Sequence, residues 1–387
     1  MLLLTVALIL AACCLRSPIT GVGSLTKMIQ QELLLSKASA GMLTTIPLLA
    51  FAGISIVVGR ISTKIGAGRV MLGSLILMAI GILLRSANQV TLFIGTILIG
   101  IGIAFENVLI PAIIKAFYPS KIGLMTSVYT TTMAIFSGIA GGISVPLAIR
   151  YGWRKSLSFW IFLVLIATFL WIFERNRRII PERNENEPNN HKERGLKTFL
   201  GNSMTWYISL YMGIQSFIFF CFVAWLSAIL QDNGFTVKTA GYYVSAFVLL
   251  GIPGSFLVPI LASRRKSQSA LGVGLGIIYC IGIIALLFGS YHPSLIVAII
   301  CCGFCSGGCI SFPMALFGLH TKDASDAGTL SGIAQSIGYL IAAIGPAMLG
   351  SMYDVTGGWG IPLVLLLIMA ASLILLGYLA GRNKIIE

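Results

Sequence analysis

Twelve apolar runs, each near the length needed to cross a bilayer, leave this chain little choice of architecture. A spanning helix takes roughly 20 mostly apolar residues. Runs of that kind lie near 2–25, 40–59, 70–86, 91–114, 123–149, 156–173, 203–230, 239–262, 270–289, 294–318, 327–350 and 359–381. Of the 387 residues 57% are hydrophobic and only 10% charged, whereas a soluble domain carries roughly a quarter charged residues. The expected fold is all-α integral membrane, with twelve transmembrane helices in two six-helix pseudo-repeats. Its 43 glycines suit close helix approach in lipid, for instance at Gly138-x-x-x-Gly142 and Gly272-x-x-x-Gly276.

The formal net charge is +14, but the cations form short clusters between apolar runs rather than the stripe that nucleic acid requires. The expected partner is therefore the lipid bilayer, and no nucleic acid. Of the 26 Lys and Arg residues, 18 fall on one side of the spans and 7 on the other, with Arg16 inside the first. By the positive-inside rule both termini are expected in the cytoplasm, in a multi-pass protein of the cytoplasmic membrane. Leu10-Ala11-Ala12-Cys13 matches a lipoprotein cleavage box. Nothing charged precedes Arg16, however, and the apolar run continues to Leu25, so a retained first helix is expected rather than a cleaved signal.

The chain is also written twice. Ala40–Lys64 overlays Ala240–Arg264 without a gap, with Ala40/Ala240, Gly41/Gly241, Leu49/Leu249, Ser55/Ser255 and Val58/Val258 identical. At nearly the same offset come Pro111/Pro313, Gly123/Gly328 and Gly152-Trp153/Gly358-Trp359. A parallel repeat in a membrane chain points to a transporter with its site between similar halves. The expected division is 1–173 and 203–387 for the two bundles, with 174–202, rich in Asn, Glu, Arg and Pro, as a cytoplasmic linker.

Few residues in the spans carry chemistry. Arg16 lies about 21 Å along the first helix at the usual rise, where a charge needs a cavity or a partner. Two readings stand: a guanidinium that binds a polar or anionic solute, with Thr20 on the same face, or a structural ion pair or snorkelling cation. Glu106, beside Asn107, is the one acid expected deep within a span. It is a candidate proton carrier or half of a fixed salt bridge. Gln215 and Ser216, followed by Phe219, Phe222 and Trp225, and then Ser331, Gln335 and Tyr339, share helical faces. They either orient a solute or bond helix to helix.

Gly59, Arg60, Lys64, Gly66 and Arg69 are expected in the turn after the second span, as a gate or simply as topology. Cys301, Cys302, Cys305 and Cys309 cluster on one helix with no His nearby. They are expected to pack, so no metal is assigned. With no phosphate-binding loop, no cofactor and no catalytic constellation, an enzyme is not expected.

Several segments carry a family resemblance. The twelve helices in two repeats, with the basic turn after the second, resemble the major facilitator superfamily. Leu15-Arg16-Ser17-Pro18-Ile19-Thr20, Asn107–Lys115, Gly123–Thr131 and Leu330–Tyr339 resemble more narrowly its cyanate/2-nitroimidazole permease family. The chain departs from that pattern at Thr63, where the superfamily's turn carries an acid, and at Glu106, Phe220 and His320. The resemblance implies a monomeric secondary active transporter. On the reading of the residues themselves, Arg16, Thr20, Asn107, Tyr129, Gln215, Trp225, Gln335 and Tyr339 are expected to bind a small-molecule substrate, with Glu106 for proton coupling. A drug or metabolite exporter of the same fold is the alternative, and a membrane sensor without flux a more distant one.

Overall fold

The computed structural model describes residues 1–35, 37–176, 196–288 and 292–386. Among them the chain is helical, without strands, and twelve segments are long and apolar enough to cross a membrane. The all-α, twelve-span expectation holds.

The first span is two helices, α1 (Leu2–Cys14) and α2 (Ser17–Glu32). Spans two to five are α3 (Lys37–Ile65), α4 (Ala67–Leu84), α5 (Gln89–Phe117) and α6 (Ile122–Tyr151). The sixth is split into α7 (Trp153–Ser158) and α8 (Ile161–Glu174). A short α9 (Leu196–Gly201) precedes α10 (Ser203–Asp232), α11 (Val237–Ser263) and α12 (Ser269–Leu287). The last three are α13 (His292–Leu319), α14 (Ala324–Thr356) and α15 (Gly360–Ala380). Within the segment expected as a linker, 177–195 lies outside the described residues.

Local chemistry accounts for the ends and breaks. Asn88 and Thr91 form a reciprocal capping box at the start of α5, each side chain accepting the other's backbone N–H at 2.9 Å. Asn202 and Thr236 cap α10 and α11 singly, their side chains accepting the Met204 and Thr239 N–H groups. The break between α1 and α2 falls just before Pro18, which lacks an N–H and disfavours helical geometry in the residue ahead of it.

The turn after the second span is shorter than the sequence suggests. Gly59, Arg60 and Lys64 lie within the last turns of α3, and Arg69 lies in the first turn of α4. Only Gly66 connects the two helices, at φ 98°, a backbone setting that favours glycine. The helix carries on because the hydroxyls of Ser62 and Thr63 bond back to the carbonyls of Gly59 and Arg60 rather than competing for the next turn.

The two small-residue motifs part company. Gly272 faces Gly377 so closely that an added Cβ would lie 2.6 Å from the Gly377 carbonyl oxygen. Gly138 and Gly142 meet nothing within 4 Å. The first is a helix seam between α12 and α15, and the second is not.

The chain forms two compact units, and each takes a segment from the other sequence half. One holds Met1–Ser120, Ile135–Lys197 and Lys322–Ser336; the other holds Lys121–Ala134, Thr198–Thr321 and Ile337–Glu387. α6 and α14 each run from one unit into the other.

Candidate functional site

Arg16 stands at the break in the first span, as the residue that caps the start of α2. It is half-buried, and its guanidinium has no hydrogen bond or ion pair to another described residue. One turn on, the Thr20 hydroxyl lies 2.9 Å from the Ser137 hydroxyl of α6. A broken helix with an unpaired cation at the break is the kind of place where transporters bind solutes.

A second cation, Arg85, secures this region. It is one of the seven cations counted on the external side, yet it is 1% exposed. Its Nη1 donates to the Pro18 carbonyl at 2.7 Å, and its Nη2 to the Leu157 carbonyl at 3.1 Å. It thus ties the end of α4 to the breaks in both the first and the sixth spans. Nothing in its sequence context marks it, because its partners are backbone carbonyls.

Glu106 on α5 is fully buried. Its Oε1 accepts a hydrogen bond from the Ser74 hydroxyl of α4 at 3.3 Å, and its Oε2 has no partner among the described residues. It is not paired with Arg16.

Asn107 and Gln335 are brought together. The Gln335 Nε2 donates to the Asn107 carbonyl at 2.9 Å and to the Ser331 hydroxyl at 2.8 Å, while its Oε1 is buried without a partner. The same stretch of α14 lies tightly on α3. Ser336 donates to the Ala52 carbonyl, and an added Cβ on Gly332 would sit 2.5 Å from the Ser55 carbonyl oxygen.

The other unit holds a matching seam between α6 and α11. There Ser127 donates to the Phe256 carbonyl and Thr130 to the Ser255 carbonyl, at 2.5 and 2.9 Å. Ser55 and Ser255 are an identical pair of the repeat, so both seams use the same point on the repeated helix.

Tyr129, Gln215, Trp225 and Tyr339 lie in this second unit, whereas Arg16, Thr20, Glu106, Asn107 and Gln335 lie in the first. The Gln215 amide turns back onto its own helix, donating to the Met212 carbonyl at 3.2 Å and the Ser216 hydroxyl at 2.6 Å. The Trp225 indole N–H donates to the Pro346 carbonyl at 2.8 Å, with its ring against Gly350. Both polar handles are engaged in packing α10. Tyr129 and Tyr339 are buried.

Among the described residues no group of three or more His, Cys, Asp or Glu could hold a metal ion.

Comparison with known proteins agrees with this architecture. The family model described as Major Facilitator Superfamily matches residues 8–346. The chain is 39% identical over 378 residues to the uncharacterized transporter YycB of Bacillus subtilis (strain 168), covering 96% of this chain and 92% of that one. It is 32% identical over 388 residues to a 2-nitroimidazole transporter of Escherichia coli (strain K12), covering 99% and 96%. Among solved structures, the proton:xylose symporter XylE aligns with a TM-score of 0.78 at 14% identity, covering 100% of this chain and 97% of that one, a likeness of fold. With twelve spans, a family match over residues 8–346 and a relative of 39% identity covered almost in full, the chain belongs to the major facilitator superfamily and is a multi-pass membrane transporter.

Proposed function

We propose that the protein is a secondary active transporter that carries a small polar or anionic solute by alternating access, coupled to protons. The observation that carries this reading is Arg16, a half-buried guanidinium at the break of the first span that is unpaired among the described residues. A fixed salt bridge would have consumed that charge. Left open beside Thr20, it suits the oxygens of a nitro group or a small delocalised anion. The 2-nitroimidazole named for one relative carries such a nitro group.

Glu106 is the proposed proton carrier. A carboxyl with one oxygen unpartnered and no cation bonded to it among the described residues is free to change protonation state, which a salt-bridged one is not. In this reading the two sequence halves, 1–173 and 203–387, are the moving bundles. Gln335 and Asn107, in the same unit as Arg16 and Thr20, line the site. Both termini face the cytoplasm, by the excess of Lys and Arg on that side.

The test is counterflow in proteoliposomes against 2-nitroimidazole, cyanate and other small anions, with and without a pH gradient. Arg16→Ala abolishes exchange while leaving folded protein in the membrane, and Arg16→Lys at full activity would overturn the guanidinium's role. Glu106→Gln stops pH-driven accumulation and spares exchange. Unchanged accumulation in that variant removes Glu106 from the mechanism.

A further inference from the structure

The far end of α2 from Arg16 is held by an unusual clasp. Glu32, the last residue of α2, accepts a hydrogen bond from the Trp153 indole N–H at 2.8 Å through Oε2. Its Oε1 pairs with the Arg154 guanidinium, which in turn lies over the Trp153 ring, 4.4 Å from its centroid. One carboxylate thus takes both residues that open α7. The Trp153 ring is buried in an apolar cluster with Val22, Leu25 and Ile29 of α2 and Leu157 of α7.

The second unit contains the same device. Asp232, the last residue of α10, accepts from the Trp359 indole N–H at 2.9 Å and from the Tyr353 hydroxyl at 2.7 Å. The two rings lie 4.5 Å apart. Glu32 and Asp232 are separated by the offset at which Ala40 overlays Ala240, and the two tryptophans are the Gly-Trp pair of the repeat. The duplication therefore carried a carboxylate–indole clasp as well as helices.

What the clasps hold differs. α10 is continuous from Ser203 to Asp232, so its clasp fastens the tip of a rod anchored through the whole span. α2 starts at a break and is only 16 residues long, about 24 Å at the usual rise. Its near end carries Arg16 and is fixed by Arg85 at Pro18. Its far end is fixed by the clasp. A short rod freed at one end tilts about the other, and the side chain at the pivot then leaves the backbone at a new angle.

We propose that the Glu32–Trp153–Arg154 clasp is a positioning device for Arg16, setting the direction of the guanidinium toward the solute, whereas the Asp232 clasp fastens only the tip of α10. This rests on the reading of Arg16 as solute-binding. The ion-paired part is exposed, and exposed ion pairs contribute little to stability. Loss of the clasp is therefore felt in recognition more than in folding, since small misplacements of a binding group cost much of its effect.

Two measurements test it. Hydrogen exchange, which needs no solute, compares Glu32→Ala with Asp232→Ala. Glu32→Ala speeds exchange along α2 back to the break, while Asp232→Ala speeds it only in the last turn of α10. Unchanged α2 exchange, or equal loss along α10, overturns the proposal.

Counterflow of 2-nitroimidazole then separates recognition from turnover. Glu32→Ala and Trp153→Phe raise KM at least about fivefold with little change in maximal rate. Glu32→Asp, which installs the acid used by the second clasp, restores much of the affinity, and Asp232→Ala leaves KM alone. If Arg16→Lys raises KM and Glu32→Ala does not, the clasp proposal fails and the Arg16 reading survives. If Arg16→Lys also leaves KM unchanged, the Arg16 reading fails and takes the positioning role with it.

Discussion

Single residues divide here into those whose role shows in the sequence and those whose partner is the backbone. Arg16 and Glu106 stand out because each is a charge in an apolar run, and the structure keeps them apart from each other. Arg85 does not stand out, and His320 does so only as a departure from the family pattern, since each acts on carbonyls that any residue would present. His320, at the end of α13, lies with Nδ1 2.7 Å from the Lys384 carbonyl oxygen, and its own carbonyl accepts the Ile386 N–H at 2.9 Å. Ile386 is 1% exposed, so the C-terminal strap is docked. Burial holds this imidazole below its ordinary value of 6.5, outweighing the bond to Lys384. A base with a depressed value binds fewer protons folded than unfolded, so stability rises with pH across the interval below 6.5 and is fully present above it. Acidification from neutral pH is expected to lower the melting temperature of the wild type and loosen the strap to protease. His320→Gln, whose amide still donates to the Lys384 carbonyl but does not titrate, should flatten both responses. An equal slope in the variant would place the pH sensitivity elsewhere.

At the scale of elements, the apolar runs predict where helices lie and say less about how they are interrupted or joined. All twelve spans fall where the runs are, because length and hydropathy alone decide insertion. The split of the first span follows from Pro18 and is readable in retrospect. The turn expected from Gly59 onward begins only at Gly66, because Ser62 and Thr63 satisfy their hydroxyls along the helix and carry it to Ile65. Small-xxx-small spacing was equally incomplete as a guide: it marks two places where helices are able to approach, and only the neighbour decides whether they do. This distinction is measurable. Gly272→Ala drives a methyl into the Gly377 backbone and should destabilise by about 1–3 kcal/mol, as overpacking does. Gly142→Ala meets nothing within 4 Å and should be neutral or stabilise by up to ~1 kcal/mol through the unfolded chain. Thermal melting of the two variants side by side reads the difference, and equal effects would mean that the α12–α15 seam yields without strain.

At the scale of the whole molecule, the repeat is a duplicated set of attachments carrying unlike chemistry. Each unit contains a seam where a helix of one sequence half donates hydroxyls to the backbone of a helix from the other, Ser336 to Ala52 in one and Ser127 and Thr130 to Phe256 and Ser255 in the other. Such seams leave almost no trace in a sequence, because the acceptors are carbonyls and the donors are small hydroxyl residues common in any membrane helix. Their chemistry suits contacts that must part and re-form. A hydroxyl–carbonyl bond adds only about 1 kcal/mol net, and no buried charge is stranded when it opens. If the proposed alternating access is right, both seams separate in every cycle. Joining Ala52→Cys to Ser336→Cys with a short thiol cross-linker should abolish transport, and joining Ser127→Cys to Phe256→Cys should do the same at the other seam. Cleaving the linker should restore activity in each case. Both locks are required to act, because two bundles rocking about one solute cannot part at one seam alone. Wild-type flux through a protein cross-linked at either seam would show that the cycle does not open there, and the rocking of two sequence halves would have to be abandoned.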